Sequence, residues 1–220
     1  MHLFSRLKAD ASGDWASYVE HQFVHELGTG ELPKSSFRHY LVQDYLFLIQ
    51  FARAYALGIY KSPTPQDMRQ SLEGVKAIMD VELDLHLELC ASWGMSREDI
   101  ENAPEAAQTI AYTRFVLEAG MAGDLLDLQV ALAPCIIGYA EIGKGLAEKH
   151  GQTLDGNPYK RWIEEYSGST YQNLAAEFGA WIDATAGVYL TEARVPRLRK
   201  LFAKASQLEA DFWQMGLEAS

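Results

Sequence analysis

Apolar residues recur at three- and four-residue steps along most of the chain. Leu41, Tyr45, Leu48 and Ala52 form one such stripe, and Trp15, Tyr18, Val19, Gln22 and Phe23 approximate another. This is the period of α-helices packed on one face. Turn-forming residues interrupt it at Gly28-Thr29-Gly30 with Pro33, at Ser62-Pro63-Thr64-Pro65, and at Gly94, Pro104, Gly120 to Gly123, Gly151 to Pro158 and Gly168. Between them lie segments of about 20–30 residues. Ser35 or Ser36 is expected to cap the second segment, Thr64 before Pro65 to open the third, and Ser169 or Thr170 to open a later one. Few runs have strand character, and the hairpin-type pair Asp155-Gly156 falls in a loop. Asp80 to Leu89 alternates polar and apolar residues, the strand period. It is nevertheless built from Leu and acidic residues with one β-branched side chain, Val81, and it continues the helical pattern that starts near Pro65. A helix is predicted there, with Glu82 and His86 able to pair on a partly buried face. The pattern as a whole predicts an all-α fold, a single-domain helical bundle over residues 1–220 with about seven to nine helices. No internal repeat, low-complexity tract or flexible linker is present in the sequence.

Composition supports a packed core and narrows the partners. Of the 220 residues, 48% are hydrophobic and 22% charged, too apolar for a disordered chain. Lys and Arg number 19 against 30 Asp and Glu, a formal charge of −11. That balance argues against nucleic acid or an anionic membrane surface as partner. The longest nearly uncharged run, Val130 to Ala140, is about half of the roughly 20 residues a bilayer requires. The first residues, Met1-His2-Leu3-Phe4-Ser5-Arg6, lack the order of a secretory signal. The two cysteines, Cys90 and Cys135, lie in unlike surroundings, so the expectation is a reducing, cytoplasmic location without a disulfide.

Candidate chemistry comes from polar groups on apolar helix faces, where burial needs a reason. Asp44 shares its face with Leu41, Phe47, Leu48 and Phe51. It is either a functional carboxylate or the acceptor of a structural bond to a helix end or to an Arg such as Arg53. Glu209 lies at helical steps from Phe202, Phe212 and Trp213. It is either an acid held in an apolar pocket with a raised pKa, or a side chain that reaches solvent past an aromatic. Cys135 follows Pro134, which cannot donate to the carbonyl of Val130 and is expected to kink its helix. With Gly138 and Gly143 just beyond and Tyr139 alongside, the kink can open a ligand-sized gap; otherwise the thiol is a small buried hydrophobe, as assigned to Cys90. Among eleven tyrosines, Tyr112 and Tyr166 sit in aromatic neighbourhoods suited to a flat heteroaromatic ring or to plain packing. No His has a Glu three residues before it, so a di-iron bundle site and zinc lack support, as do nucleotide loops and the nucleophile elbow of α/β-hydrolases. No cofactor and no metal are expected.

Several of these residues stand in familiar company. The run Phe-Arg-His-Tyr-Leu-Val-Gln-Asp-Tyr-Leu-Phe-Leu (37–48), continued by Phe51-Ala-Arg-Ala-Tyr-Ala-Leu57, strongly resembles the TenA (thiaminase II) family. So do Phe23-Val-His25 with Gly28-Thr-Gly-Glu-Leu-Pro33, Leu132-Ala-Pro-Cys-Ile136 with Tyr139, Tyr159-Lys-Arg-Trp-Ile163 with Tyr166, and Glu209-Ala-Asp-Phe-Trp213. Five motifs in order, with compatible spacing, cover most of the chain. The resemblance implies a haem-oxygenase-like bundle, usually a homotetramer, with a deep pocket. It implies hydrolysis of thiamin or of 4-amino-5-aminomethyl-2-methylpyrimidine to hydroxymethylpyrimidine, in thiamin salvage. It further implies Cys135 as nucleophile and Glu209 as acid. Asp44 would hold the pyrimidine amine and ring nitrogen, with Tyr112, Tyr139 and Tyr166 around the ring and Phe212 as a wall. Many members carry Tyr where this chain has Phe47, a hydroxyl thought to help activate the thiol. The alternatives are a non-catalytic binder of thiamin-related pyrimidines, or an oxidative enzyme on the same fold. The expected partner is a small-molecule pyrimidine.

Overall fold

A computed structural model describes residues 2–219, and the helical period is realised along most of them; no strand occurs among the described residues. Three short helices, α1 (Leu3–Asp10), α2 (Ser12–Val19) and α3 (Gln22–Thr29), lead into the long α4 (Lys34–Lys61). The next pair, α5 (Pro65–Ala77) and α6 (Leu83–Ser92), run on through a π turn at Ile78–Glu82. After α7 (Arg97–Glu101) and α8 (Ala107–Ala122), helices α9 (Leu125–Ala133) and α10 (Tyr139–His150) are joined by a second π turn at Pro134–Gly138. A 3₁₀ turn at Leu154–Gly156 precedes α11 (Lys160–Ser167), α12 (Ser169–Tyr189) and α13 (Val195–Glu218).

The thirteen α-helices among the described residues exceed the expected seven to nine because two π turns split longer helices, short helices such as α7 stand between the long ones, and the first aromatic stripe is divided. Its residues Trp15 and Tyr18 belong to α2 and Phe23 to α3. The break at Glu20-His21 lets the His21 ring nitrogen accept the Phe23 N–H and cap α3. That helix ends on Gly30, whose φ of 81° is the left-handed position that favours glycine. Thr64 caps α5 with Pro65 in its first turn, as expected. The other two expected caps are displaced. Pro33 precedes the first residue of α4, leaving the Ser36 hydroxyl buried without a hydrogen bond, and α12 starts after Gly168 with no side-chain cap.

Helix α4 is the spine. Phe37, Tyr40, Leu41, Asp44, Leu48, Phe51, Ala52 and Tyr55 are buried along it at three- and four-residue steps, against α5, α6, α8 and α13. Every residue of α9 is buried. The continuous stretch Leu125–His150 is long and apolar enough to cross a membrane, more so than its uncharged run indicates, but 83% of its most apolar window is buried inside the protein as a core helix. At its start Asp124 accepts the backbone N–H groups of Leu126 and Asp127, while Asp127 accepts that of Asp124. Arg194 clamps both carboxylates at 2.8–3.0 Å. Pro134 produces the expected irregularity as a π turn, because its missing N–H breaks the regular ladder.

Candidate active site

The two π turns and α4 place their side chains around one hollow. Cys135, Asp44, Phe47, Tyr139 and Tyr166 line it, together with Tyr55, Glu82 and Tyr171; its cavity volume is about 40 Å³. Pro134–Gly138 carries Cys135 and Ile78–Glu82 carries Glu82. The turn holding Cys135 is fixed from behind by Tyr18, whose hydroxyl donates to the Pro134 carbonyl at 3.2 Å. A Cβ on Gly138 would run into the Tyr18 ring, and one on Gly143 would lie 2.6 Å from Tyr166 backbone. The glycines beyond Pro134 therefore allow close packing of α2 and α11, and do not themselves make the gap expected there. The open space is bounded instead by α4, α5, the two π turns and the near ends of α10, α11 and α12.

Among the described residues no Lys or Arg stands beside Asp44. Only 5% of it is exposed. Its Oδ2 accepts the Tyr40 hydroxyl at 3.1 Å, and Tyr40 in turn accepts Trp162 Nε1–H at 3.1 Å. Arg53, the structural partner weighed from the sequence, donates to Gln50. His86 Nε2 donates to the Leu41 carbonyl at 2.7 Å, and its Nδ1 stands 3.7 Å from Asp44 Oδ2. That ring is no counter-ion, since burial pushes its pKa down to about 4 despite the bond to Leu41. Burial pushes Asp44 up to about 7, with the Tyr40 hydroxyl pulling weakly the other way. Glu82 and His86 share a face as expected, but His86 turns to the backbone of α4 and to Asp44.

Glu209, Tyr112 and Phe212 are placed differently from the other five expected residues. They are not on the wall of the hollow but directly behind it. The Phe47 ring lies 5.1 Å from that of Tyr112 and 5.9 Å from that of Phe212. Glu209, 1% exposed, does not reach solvent; its Oε1 accepts the Tyr112 hydroxyl at 2.8 Å. Burial raises Glu209 to about 8 against that hydrogen bond, and the charge of Asp44 adds to the rise. A carboxylic acid at this pKa holds its proton at neutral pH. Cys135 is pushed well above the ordinary thiol range, first by burial and then by the charges of Glu209, Asp44 and Glu82. The resting group is a neutral thiol surrounded by carboxyls.

Aromatic rings finish the enclosure. Tyr139 packs 5.0 Å from Tyr166 and 5.3 Å from Trp213, and Tyr166 lies 4.5 Å from Trp162 and 4.7 Å from Tyr171. Such walls offer flat faces to a ring and keep water away from whatever reacts inside. Among the described residues no three His, Cys, Asp or Glu side chains gather where a metal ion could be held. Sequence reasoning missed Tyr40, Trp162 and Tyr171 as site residues, and read Glu82 and His86 only as a pair on a partly buried face. Tyr40 had a signal, standing one helical turn before Asp44 on the same face; Tyr171, at the start of α12, had none.

The profile of the TENA/THI-4/PQQC family matches residues 9–219. An uncharacterized protein of Haemophilus influenzae is 38% identical over 219 residues, covering 98% of this chain and 99% of its own. The aminopyrimidine aminohydrolase of Halalkalibacterium halodurans is 35% identical over 215 residues, covering 98% and 95%. A crystal structure from Silicibacter sp. TM1040, described as a TenA family transcription regulator, superposes with a TM-score of 0.93 at 44% identity, covering 98% of this chain and 96% of that one. A Shewanella denitrificans domain with a heme oxygenase-like fold superposes with a TM-score of 0.77 at 16% identity, covering 98% and 92%. The last comparison bears on fold alone: the bundle described above is haem-oxygenase-like.

Proposed function

The chain belongs to the TENA/THI-4/PQQC family, and on that premise we propose that it is an aminopyrimidine aminohydrolase. Its substrates are 4-amino-5-aminomethyl-2-methylpyrimidine and thiamin, and its product is hydroxymethylpyrimidine. The observation that carries this reading is the meeting of Cys135 with Asp44 in one aromatic-walled hollow, with the proton-bearing Glu209 immediately behind.

The chemistry follows from these groups. Displacement at the pyrimidine's methylene carbon is slow while the ring is aromatic. Asp44 accepts hydrogen bonds from the pyrimidine amine and a protonated ring nitrogen, which drains electrons from the ring and favours addition to it. The Cys135 thiol passes its proton to a carboxylate, and its sulfur bonds to an electron-poor ring carbon as a ring electron pair moves to nitrogen. That pair returns and the bond from methylene carbon to leaving nitrogen breaks; thiazolium leaves as neutral thiazole, and an amine leaves with the Glu209 proton. Water adds to the exocyclic methylene and gives its proton to the Glu209 carboxylate in the amine reaction and to solvent in the thiamin reaction, which releases one proton. The carbon–sulfur bond then breaks, the sulfur takes back the proton lent to the carboxylate, and the ring is aromatic again. Thiol chemistry of this kind suits a reducing cytoplasm, and a symmetric assembly, a homotetramer, accords with the family resemblance.

One feature favours a second reading. Phe47 supplies no hydroxyl beside the thiol, which fits a protein that binds such pyrimidines without turnover. Incubation with aminomethylpyrimidine and with thiamin, following hydroxymethylpyrimidine by chromatography, separates the two. Product from the wild type supports the hydrolase; saturable binding with no product supports the binder.

A further inference from the structure

The hollow that holds Cys135 adjoins a second, outer chamber lined by Leu85, His86, Leu89, Arg161, Trp162 and Glu165. The two share Leu48, Glu82, Tyr166 and Tyr171, so Glu82 is the carboxyl common to both among the described residues. It closes the π turn Ile78–Glu82 and thus stands, like Cys135, on an irregular turn facing the reacting space. No hydrogen bond reaches its carboxyl among the described residues. The charges felt there are those of Asp44 and Glu165, both negative. The nearest cation along the outer chamber, Arg161, is drawn to the rim by Glu88 at 3.5 Å. Protein surrounds the carboxyl closely enough to raise it to about 7, yet the side chain keeps accessible surface along the chambers it lines. An acid without a partner at such a position is unfavourable unless a cation arrives to meet it.

We propose that Glu82 selects the leaving group, its carboxylate receiving the positive charge carried by the nitrogen on the pyrimidine's methylene carbon. This rests on the aminohydrolase reading and deepens it. With the pyrimidine between Cys135 and Asp44 in the inner hollow, the group on its methylene carbon points through the neck into the outer chamber. There a thiazolium, or the ammonium formed as the Glu209 proton reaches the departing amine, meets Glu82, with Glu165 behind. A neutral substituent gains nothing from that carboxylate. Glu82 is accordingly a specificity residue, and the bond-breaking steps remain those of Cys135 and Glu209.

The test compares the wild type with E82Q for a cationic and a neutral pyrimidine. kcat/KM is measured for aminomethylpyrimidine and thiamin, and Kd by calorimetry for neutral hydroxymethylpyrimidine. We expect E82Q to lower both kcat/KM values about tenfold to hundredfold, the range of a charged hydrogen bond, while the hydroxymethylpyrimidine Kd moves less than about threefold. E82A, which also removes the charge, should lose the preference for cations and decides the matter if E82Q does not fold. If the wild type turns over both substrates and both variants leave its cation preference unchanged, or if E82Q weakens cationic and neutral pyrimidines alike, the assignment of Glu82 fails alone. If the wild type forms no product from either substrate, the aminohydrolase reading fails and the assignment falls with it.

Discussion

Asp127 and Asp44 are buried to similar depth, 1% and 5% exposed, but the fold surrounds them with opposite chemistry. Asp127 sits at the start of α9 with Arg194 at 3.0 Å and Arg197 at 3.3 Å, and its neighbour Asp124 holds Arg194 as well. Burial would raise Asp124, but the Arg194 hydrogen bonds, the Asp127 backbone N–H and the Arg194 charge together hold it below the usual carboxylate range. Asp44 has a phenol and a neutral imidazole instead, and Glu209 a phenol alone; both rise. One pair of carboxylates ties the start of the core helix to α13. In the other pair Glu209 holds a proton at neutral pH, while Asp44 stands at the point of losing its own and can serve a bound ring as acceptor. Burial alone therefore does not identify a functional acid; burial without a cation does.

The contrast can be broken experimentally, most severely at the sulfur. C135A should abolish hydroxymethylpyrimidine formation while pyrimidine affinity stays within about tenfold, since the ring contacts remain; chromatography and calorimetry read the two effects. E209Q should lower kcat about hundredfold to ten-thousandfold, the range for a lost general acid. The wild-type fall in rate as pH rises through about 8 should be missing in that variant, because it reports the loss of the Glu209 proton.

D44N is the sharper comparison with the paired acids. Pyrimidine binding should weaken about tenfold to hundredfold as a charge-assisted acceptor is lost. Stability should move the other way. Asp44 keeps its proton in the folded protein up to about pH 7, while the unfolded chain releases it near its ordinary value. The wild type is therefore penalised increasingly as pH rises between those values, and the penalty levels off above 7. D44N should unfold at higher temperature at pH 8, by on the order of 1–4 kcal/mol, with the advantage gone near pH 4. R194A should do the reverse, losing roughly 1–3 kcal/mol at neutral pH with kcat unchanged, since Arg197 still reaches Asp127. Asp124 is held low by Arg194, so that loss should shrink as acid protonates Asp124 in either protein; denaturant titrations at two pH values read it. F47Y is the mildest change. It restores a hydroxyl beside Tyr112 and Glu209 and should raise kcat by at most about tenfold.

Local signals carried much of this into the sequence. The Thr64-Pro65 start, the irregularity at Pro134 and the helix at Asp80 to Leu89 follow from backbone chemistry within a few residues. The π turn Ile78–Glu82 was not legible, since nothing like a proline marks it. Asp44, Cys135 and Glu209 stood out as polar groups on apolar faces. Their arrangement in depth did not, because the step that places Glu209 behind Phe47 is set by packing of α8 and α13 against α4. That Arg53 does not reach Asp44 was legible from helix geometry, since nine residues put it about 13 Å away on the opposite face of α4, where it donates to Gln50; that no cation of another helix stands beside Asp44 among the described residues was hidden, because packing decides it.

The protonation of Glu209 is the point at which the account is most exposed. NMR titration of protein carrying ¹³C at the glutamate carboxyls, with the Glu209 signal identified by its loss in E209Q, measures it directly. A midpoint near pH 8 is the predicted result. A midpoint near 4, where an ordinary glutamate titrates, would mean that Glu209 has no proton to give at neutral pH, and the division between paired and unpaired acids would lose its chemical meaning.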